Sequence, residues 1–283
     1  MIELPSLTAA EFRRLCDFLY RRTGIAVADN KRYYVERRVR DRMIATGTTS
    51  FAAYFVGLRG NADGEIEKFV NSFTVNETYF YREDQMLRCL STELLHRAIA
   101  AKAGTGPLRI WSIPCSSGEE PYSIAIWLLE NWPQVDDYDI EIVGSDIDTR
   151  ILEEARSGIY GPRALMRLSP QVIAKYFEPL AEDRWRLIAD LRQSVQFSQA
   201  NVIEAAETRP HGRFDVIFCR NMLIYFDDAS RRVAAENLYE CLMPGGYICL
   251  SQTESMSRIS PLFEVCRFAD AVVYRRPIAG GHG

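Results

Sequence analysis

The chain has 283 residues, 47% of them hydrophobic, with a formal net charge of −4. This length allows two domains of ordinary size, and no apolar run approaches the length that spans a membrane. No apolar stretch follows a basic start, and the seven cysteines lack C-x-x-C spacing. We therefore expect no signal peptide and a protein of the reducing cytoplasm. Three histidines without ligand spacing argue against a metal site.

The pattern over residues 7–73 is helical throughout, which predicts an all-α domain over residues 1–74. Thr8 is expected to cap a first helix that ends at Gly24. A second helix is predicted to start near Asn30 and to run to Thr46, with Gly47 as its C-cap. Two shorter helices are expected to open at Ser50 and Asp63.

The second helix carries a basic stripe. Residues spaced by four are expected to face the core: Val35, Val39 and Met43. Beside them, Lys31, Arg38 and Arg42 fall at i, i+7 and i+11. One interpretation is a solvated face whose arginine stems cover apolar neighbours. The other is docking of an anionic partner, because the first 60 residues are net basic on an acidic chain.

Residues 75–88 form the predicted connection to the rest of the chain. Their first part, Val75–Arg82, is rich in aromatic residues and also holds Asn76 and Thr78. A plain linker would not be so apolar, so we expect this segment to pack in a cleft. Glu83–Lys102 is predicted to be a helix.

The central feature is a strand, a loop of small residues and a helix with an acidic start. Arg109–Ile113 is typical of a buried strand, and residues 115–118 allow a sharp turn close to a ligand. Glu119 and Glu120 then open a helix. The loop lacks the glycine pattern of dinucleotide sites and the P-loop cradle. Acids at this position suit a cationic ligand, although they also complement the helix dipole.

Two further strands end in polar residues. Asp139–Gly144 leads into Asp146, which is placed to bond ribose hydroxyls, and into Asp148, which is expected to cap the next helix. Phe214–Cys219 leads into Arg220 and Asn221. Because parallel strands end at one edge of a sheet, we expect these residues to line a ligand crevice.

Between Ser157 and Asn201 the alternation of strands and helices breaks. We predict a small antiparallel insertion at about residues 177–193 and a return to the main sheet over Ser194–Ser198. Phe263–Phe268 and Ala271–Arg275 resemble a closing antiparallel hairpin. The glycine-rich residues 280–283 are expected to be a disordered tail.

Five of these segments together resemble the CheR type of chemoreceptor glutamate methyltransferase. They are VNETYFYR (Val75–Arg82), SSGEEPYS (Ser116–Ser123), SDID (Ser145–Asp148), ARSGIY (Ala155–Tyr160) and FCRNMLIYFD (Phe218–Asp227). The resemblance implies a class I SAM-methyltransferase sheet, Rossmann-like α/β, over residues 89–279, with a small antiparallel β insertion and a preceding all-α domain. It also implies S-adenosylmethionine as cofactor and S-adenosylhomocysteine as product.

The resemblance also implies roles for individual residues. Arg82 and Tyr225 would act in catalysis. The cofactor would be bound by Asn76, Thr78, Arg82, Glu120, Asp146, Asn201, Val202, Arg220 and Asn221. Lys31, Arg38 and Arg42 would dock on the cytoplasmic helical domain of a methyl-accepting chemoreceptor. The implied activity is methylation of glutamate side chains for adaptation in chemosensory signalling, without nucleic acid and without direct membrane insertion.

Some members of that family are tethered by a peptide at the receptor's C-terminus, which adds a strand to the insertion. Here the loop Glu178–Asp183 is acidic, contains proline and lacks glycine. We therefore expect that a C-terminal receptor tether peptide is not required. Two other function classes remain as alternatives. One is a non-catalytic module that binds S-adenosylmethionine or its product. The other is a nucleic-acid methyltransferase, which the acidic balance and the lack of a base-methylating motif disfavour.

Overall fold

The computed structural model describes residues 6–102 and 106–278. The chain divides into two compact units: Met1–Val75 with Tyr225–Ser230, and Asn76–Ile224 with Arg231–Gly283. The predicted tail at residues 280–283 lies outside the described residues.

The first unit is helical. Its helices are α1 Ala9–Thr23, α2 Arg32–Ala45, α3 Phe51–Arg59 and α4 Glu65–Phe73. As predicted, Thr8 caps α1, where its hydroxyl accepts from the Glu11 N–H and the Glu11 carboxylate accepts from the Thr8 N–H. Gly24 ends α1 in the left-handed conformation at φ 74°. Ser50 caps α3, also as predicted.

One predicted helix start in this unit is wrong. The second helix, predicted to start near Asn30, opens with a single 3₁₀ turn, Asp29–Lys31, and continues as α2 from Arg32. The fourth helix does not begin at Asp63, because that residue has φ 51° and lies in a run of left-handed conformation. Its first turn is instead bound by the Asn61 side chain, which accepts from the Ile66 N–H at 3.0 Å.

The core of the first unit comes from the apolar faces of these helices. Its most buried members are Leu15, Leu19, Val35, Val39, Leu58 and Phe69. The later segment Tyr225–Ser230 belongs to the same unit. Its Phe226 forms an isolated antiparallel bridge with Ile25, and the Tyr225 carbonyl accepts from the Ala26 N–H at 3.0 Å.

The second unit is built on a seven-stranded sheet. The strands are β1 Leu108–Ser112, β2 Ile140–Asp146, β6 Val195–Gln199, β7 Phe214–Phe218, β8 Leu242–Cys249, β9 Glu264–Arg267 and β10 Val272–Arg275. Their order is β6-β2-β1-β7-β8-β10-β9. All neighbours are parallel except the β8–β10 and β10–β9 pairs. The predicted closing hairpin is therefore confirmed.

Helices surround this sheet. They are α5 Gln85–Cys89, α6 Leu95–Ala101, α7 Glu119–Asn131, α8 Thr149–Ser157, α9 Pro162–Leu165, α10 Pro170–Tyr176, α11 Ala189–Ser194, α12 Ala205–Thr208 and α13 Asp228–Glu240. A π-helical turn, Leu90–Leu94, joins α5 to α6. β7 is buried at all five positions, so both of its faces are covered, which explains its continuous apolar sequence.

A second, three-stranded antiparallel sheet interrupts the main one. It contains β3 Ile159–Tyr160, β4 Phe177–Pro179 and β5 Trp185–Leu187, in the order β3-β5-β4. The predicted insertion began at about residue 177, but its first strand is β3. The two-residue strand is too short to show a periodicity.

Candidate functional site

The site lies where four parallel strands end. Ser112 at the end of β1 pairs with Gly144 on β2 and with Phe218 at the end of β7, and β6 lies beyond β2. The loops that follow these strands therefore meet at one edge of the sheet, as the sequence predicted. They carry Asp146, Asn201, Arg220 and Asn221.

The loop after β1 is held tightly against the sheet. The Cys115 N–H donates to the Ser145 carbonyl at 2.8 Å, and Gly118 has φ 91°. The positive φ favours glycine here, and a Cβ atom on Gly118 would also lie only 3.0 Å from the Ala155 Cβ. The Ser116 hydroxyl oxygen is buried and has no hydrogen-bond partner within the described residues. A ligand at this loop could satisfy it.

Asp146 connects two loops at this edge. Its carboxylate accepts from the Ser116 N–H at 2.9 Å and from the Asp148 N–H at 3.0 Å. The residue is 3% exposed, and this burial raises the pKa of its carboxyl to about 6. Asp146 therefore fixes the backbone of the loop after β1 and of the turn before α8. Its bond to a ribose stays a prediction.

Asp148 joins the bridging segment to α8. Its side chain accepts from the Ile151 N–H at 3.1 Å, so the predicted helix cap is confirmed. Its second oxygen accepts from Asn76 Nδ2 at 2.9 Å. The contact brings Asn76, a predicted cofactor residue, to the same edge as Asp146.

The two glutamates that open α7 have different surroundings. Glu119 is 4% exposed and accepts from the Ser117 hydroxyl at 2.7 Å. Burial raises the pKa of its carboxyl to about 7. Glu120 instead points along the strand ends, where Ser112 donates to its Oε1 at 2.7 Å. Of the two, Glu120 therefore reaches the strand ends that form the crevice.

Glu120 belongs to a charged cluster with Glu83 and the buried Arg220. Arg220 Nη1 donates to Glu120 at 2.7 Å, and Nη2 donates to Glu83 at 3.0 Å and to the Arg82 carbonyl at 2.7 Å. Burial lowers the pKa of Arg220, but the two carboxylates outweigh burial and leave it above its ordinary value. Two carboxylates and one guanidinium give the cluster one excess negative charge. Such a cluster suits a ligand that carries one ammonium group.

The bridging segment reaches this cluster through two unusual backbone conformations. Tyr81 and Glu83, on either side of Arg82, have φ 58° and φ 54°. The Phe80 N–H donates to Ala164 at 2.9 Å, and the Tyr81 N–H donates to the Ser123 hydroxyl at 3.0 Å. The rings also pack: Phe80 lies edge-on to Tyr160 and Phe177, and Tyr81 lies edge-on to Trp127. These contacts hold the segment within the second unit.

Arg82 and Thr78 lie on this segment and are partly buried. Arg82 Nη1 donates to the Glu77 carbonyl at 2.6 Å, and its guanidinium lies 5.8 Å from the centre of the Tyr79 ring. The side chain is therefore folded back over its own segment. Its contact with reacting groups stays a prediction.

The remaining predicted cofactor residues lie at the neighbouring strand ends. Asn201 and Val202 follow β6 and are buried; the Asn201 N–H donates to Glu207 at 2.9 Å. Asn221 follows β7 with φ 59°, and its N–H donates to Glu254 at 3.0 Å. Sequence reasoning missed Glu83 and Glu254, because each reaches the site only through long-range contacts.

The first unit holds Tyr225 and the basic stripe. Tyr225 is 37% exposed. Lys31 is exposed, whereas Arg38 lies 3.5 Å above the Tyr34 ring and donates to the Ser72 carbonyl. Arg42 makes two hydrogen bonds to Glu65, at 2.9 and 2.5 Å. Two of the three stripe residues are thus bound within their own unit.

The described ranges contain no group of three or more potential ligands that could hold a metal ion. Over the same ranges, no helix has both the length and the apolar character needed to cross a membrane.

Comparison with known families and proteins gives consistent matches. Residues 10–74 match the family described as CheR methyltransferase, all-alpha domain, and residues 76–272 match CheR methyltransferase, SAM binding domain. Chemotaxis protein methyltransferase 2 of Vibrio cholerae is 48% identical over 97% of this chain and 95% of its own length. Chemotaxis protein methyltransferase of Salmonella typhimurium is 36% identical over 92% of this chain and 88% of its own. Chemotaxis protein methyltransferase 2 of Pseudomonas aeruginosa is 37% identical over 90% of each.

Proposed function

Since this chain belongs to the CheR methyltransferase family, we propose that it methylates glutamate side-chain carboxylates of chemoreceptors, as an S-adenosylmethionine-dependent protein-glutamate O-methyltransferase. The fold class predicted from the sequence is confirmed, as is S-adenosylmethionine as cofactor. The relatives' names place their activity in chemotaxis, and adaptation of chemosensory signalling is the role we propose here. Neither the family nor these names support a non-catalytic binding module.

The observation that carries the proposal is the excess negative charge of the Glu120–Arg220–Glu83 cluster. S-adenosylmethionine bears an ammonium and a sulfonium, and Glu120 has oxygens at the crevice edge to accept from the ammonium. The unpartnered Ser116 hydroxyl adds a polar group on the loop after β1. The residues present therefore fit this cofactor.

Further residues would hold the rest of the cofactor. Asp146 would accept from the ribose hydroxyls, and Asn201 with Val202 would flank the adenine. Asn76 and Thr78 would lie at the methionine end. The ends of β1, β2, β6 and β7 lie at one edge of the sheet, where α/β folds bind ligands. Asn221 and Arg220 would complete the crevice below the reacting methyl.

When bound, S-adenosylmethionine supplies an activated methyl group for in-line displacement. A glutamate side chain is already ionised at neutral pH, so the protein needs no strong general base for it. The chain's task is orientation and exclusion of water. Arg82 could orient the substrate carboxylate through its planar fork, and Tyr225 is the second residue that we propose for catalysis.

Docking on the receptor's cytoplasmic helical domain would use α2. Lys31 is exposed, but Arg38 and Arg42 are bound within their own unit, so we propose a docking face on the outer side of the helix in place of the predicted stripe. The face consists of Tyr33, Arg37, Arg40 and Ile44, at i, i+4, i+7 and i+11. Tyr33 is 71% exposed and Ile44 is 65% exposed. Two apolar residues around two arginines suit an acidic helical surface.

The test is methyl transfer from methyl-labelled S-adenosylmethionine to a purified chemoreceptor signalling domain. Glutamate methyl esters release methanol in mild alkali, whereas N-methyl groups do not. We expect alkali-labile label, mapped by mass spectrometry to glutamates on the receptor helices. Alkali-stable label, or label on nucleic acid in place of receptor, would contradict the proposal.

A further inference from the structure

A cavity of about 330 Å³ lies beyond the end of β8. The start of α5, the segment after β8 and the turn between β9 and β10 line it. We propose that this cavity is a subsite for a primary carboxamide, carried by an asparagine or glutamine of the receptor segment that presents the acceptor glutamate. The proposal rests on the function proposed above and adds a determinant of its substrate specificity.

Two residues that line the cavity each carry a buried polar atom without a hydrogen-bond partner in the described part of the chain. One is a donor, Gln85 Nε2, and the other is an acceptor, Glu254 Oε1. The two atoms therefore do not bond to each other. Buried polar groups left unpaired are costly, so such a pair in one cavity indicates a ligand that supplies both an acceptor and a donor.

The contacts of Glu254 place the cavity next to the candidate site. Its Oε2 accepts from the Asn221 N–H at 3.0 Å, from the Ser251 N–H at 3.2 Å and from the Ser251 hydroxyl at 2.7 Å. Because all three donors use Oε2, Oε1 is left for a ligand. On the other side, Gln85 opens α5 directly after the segment that carries Arg82. The cavity thus borders the residues that we propose for methyl transfer, which points to the receptor as the source of its occupant.

The two unpartnered atoms distinguish between kinds of side chain. A carboxamide satisfies both, because its oxygen accepts from Gln85 and its NH₂ group donates to Glu254. A carboxylate would satisfy Gln85 but would meet the like charge of Glu254, and an ammonium would leave the Gln85 N–H unpaired. Asp270 also lines the cavity, but it is 53% exposed and has Arg88 at 3.7 Å. Solvent and this partner screen its charge.

The walls of the cavity suit the apolar stem of such a side chain. Met86, Leu250 and Ala271 line it and are buried. Low polarity around the two unpartnered atoms raises the cost of leaving them unpaired. Ligand sites commonly measure about 300–1,000 Å³, so this cavity is at the lower end of that range. Its size therefore suits a single side chain.

The first test uses four small probes in NMR titrations of the wild-type protein. They are the N-acetyl methylamides of glutamine, glutamate, methionine and lysine, which share both backbone amides, so any difference reports the side chain. We expect the glutamine probe to bind in the millimolar range and the other three to bind at least about fivefold more weakly. Equal binding of all four, as for a cavity that only holds water, would overturn the subsite. Tightest binding of the lysine probe would overturn it in favour of a cation site.

Two variants of Gln85 test the donor, because its side-chain nitrogen holds no other group within the described residues. Gln85→Met keeps the length but removes the donor, and it should abolish the preference for the glutamine probe. Gln85→Glu places a second carboxylate in the cavity and should make the lysine probe the tightest. Gln134→Met, at an exposed position, is the matched control and should keep the wild-type order. Denaturant unfolding identifies a variant that fails to fold, and the order of the probes on the wild type then carries the test.

The second test asks whether the receptor supplies the carboxamide. Once the methylated glutamates are mapped, each asparagine or glutamine within a helical turn of them is replaced singly by methionine. At one such position we expect kcat/KM to fall about 5- to 30-fold with the wild-type enzyme, but less than about twofold with Gln85→Met. The Kd of Gln85→Met for S-adenosylhomocysteine should stay within about twofold of wild type, which a general disturbance of the fold would not allow.

The outcomes separate this inference from the function on which it rests. Wild-type protein that forms no receptor methyl ester would refute the function, whereas the probe titrations need no methyl transfer. Receptor methylation that responds to none of the methionine replacements, despite binding of the glutamine probe, would overturn the receptor as the source of the carboxamide. Equal losses with the wild-type enzyme and with Gln85→Met would show that the affected receptor side chain does not bind at Gln85.

Discussion

Replacing Glu119 by glutamine should remove much of the pH dependence of this protein's stability near neutrality. Glu119 is buried at the start of α7, and its side chain accepts from the Ser117 hydroxyl at 2.7 Å. Burial raises the pKa of its carboxyl from 4.5 to about 7, with a smaller contribution from Glu154. Glutamine keeps the shape and an acceptor oxygen for Ser117, but carries no charge.

The magnitude follows from that pKa. A rise from 4.5 to about 7 corresponds to roughly 3 kcal/mol between the two protonation states. Between these pH values the folded protein binds a proton that the unfolded chain has released, so stability falls as pH rises. The cost of ionising Glu119 is absent below pH 4.5 and complete above about pH 7. Asp146, whose pKa is raised to about 6, contributes with the same sign at lower pH.

The assay is denaturant unfolding followed by tryptophan fluorescence, from pH 5 to pH 8.5, on wild type and Glu119→Gln. The difference in unfolding free energy between the two should move by roughly 3 kcal/mol in favour of the variant as pH rises. Glu153→Gln, on the exposed side of α8, is the control and should show no such drift. Parallel pH profiles for wild type and Glu119→Gln would refute the assigned burial of this carboxyl.

Three further predictions concern the cofactor, catalysis and recruitment. Asp146→Asn should weaken S-adenosylhomocysteine binding by roughly 1–3 kcal/mol in calorimetry, because the amide cannot accept both loop N–H groups and a ribose hydroxyl; unchanged affinity would remove Asp146 from the site. Arg82→Ala and Tyr225→Phe should each lower kcat more than cofactor affinity, and wild-type turnover in both would make them structural. Tether-type peptides should give no heat with this protein, since the loop Glu178–Asp183 is acidic and short; micromolar binding, or slower methylation of a C-terminally truncated receptor, would contradict this.

Local patterns were sufficient to predict the scaffold of the site. The apolar runs of β1, β2 and β7 and the small residues after β1 placed Glu120, Asp146 and Arg220 at one edge, as the structure has them. The Asp148 cap followed from its position before an amphipathic helix. Each of these inferences depends on neighbours within a few positions in the chain.

What could not be predicted depends on contacts between distant segments. Glu83 meets Arg220 across 137 positions, and no periodicity connects them. The start of α4 was misplaced because Asn61, Asp63 and Gly64 all take left-handed backbone, which a capping pattern does not reveal. Long-range partners decide which charge is structural and which is available to a ligand.

The arginines of α2 show the same limit. Their spacing placed Arg38 and Arg42 in one line, but the acid opposite Arg42 lies on α4. Glu65 is 3% exposed, and it accepts from Arg42 and from the Tyr54 hydroxyl. Reversing Arg42 would leave buried like charges and destabilise the unit by roughly 3–5 kcal/mol. A change in receptor KM in that variant would therefore not report docking.

The outer face of α2 provides the cleaner test. Arg37 and Arg40 are exposed, so their reversal to glutamate should leave the unfolding midpoint and S-adenosylhomocysteine affinity unchanged. Attraction between opposite charges speeds association, so the KM for receptor should rise several-fold in this variant. Because salt screens such attraction, the KM of the wild type should increase more steeply with salt concentration than the KM of the variant. Arg59→Glu, an exposed reversal at the end of α3, shows the effect of a single charge reversal away from this face. This variant is expected to leave folding and the cofactor site intact. Equal KM values for wild type and the Arg37/Arg40 variant would therefore show that the receptor binds elsewhere.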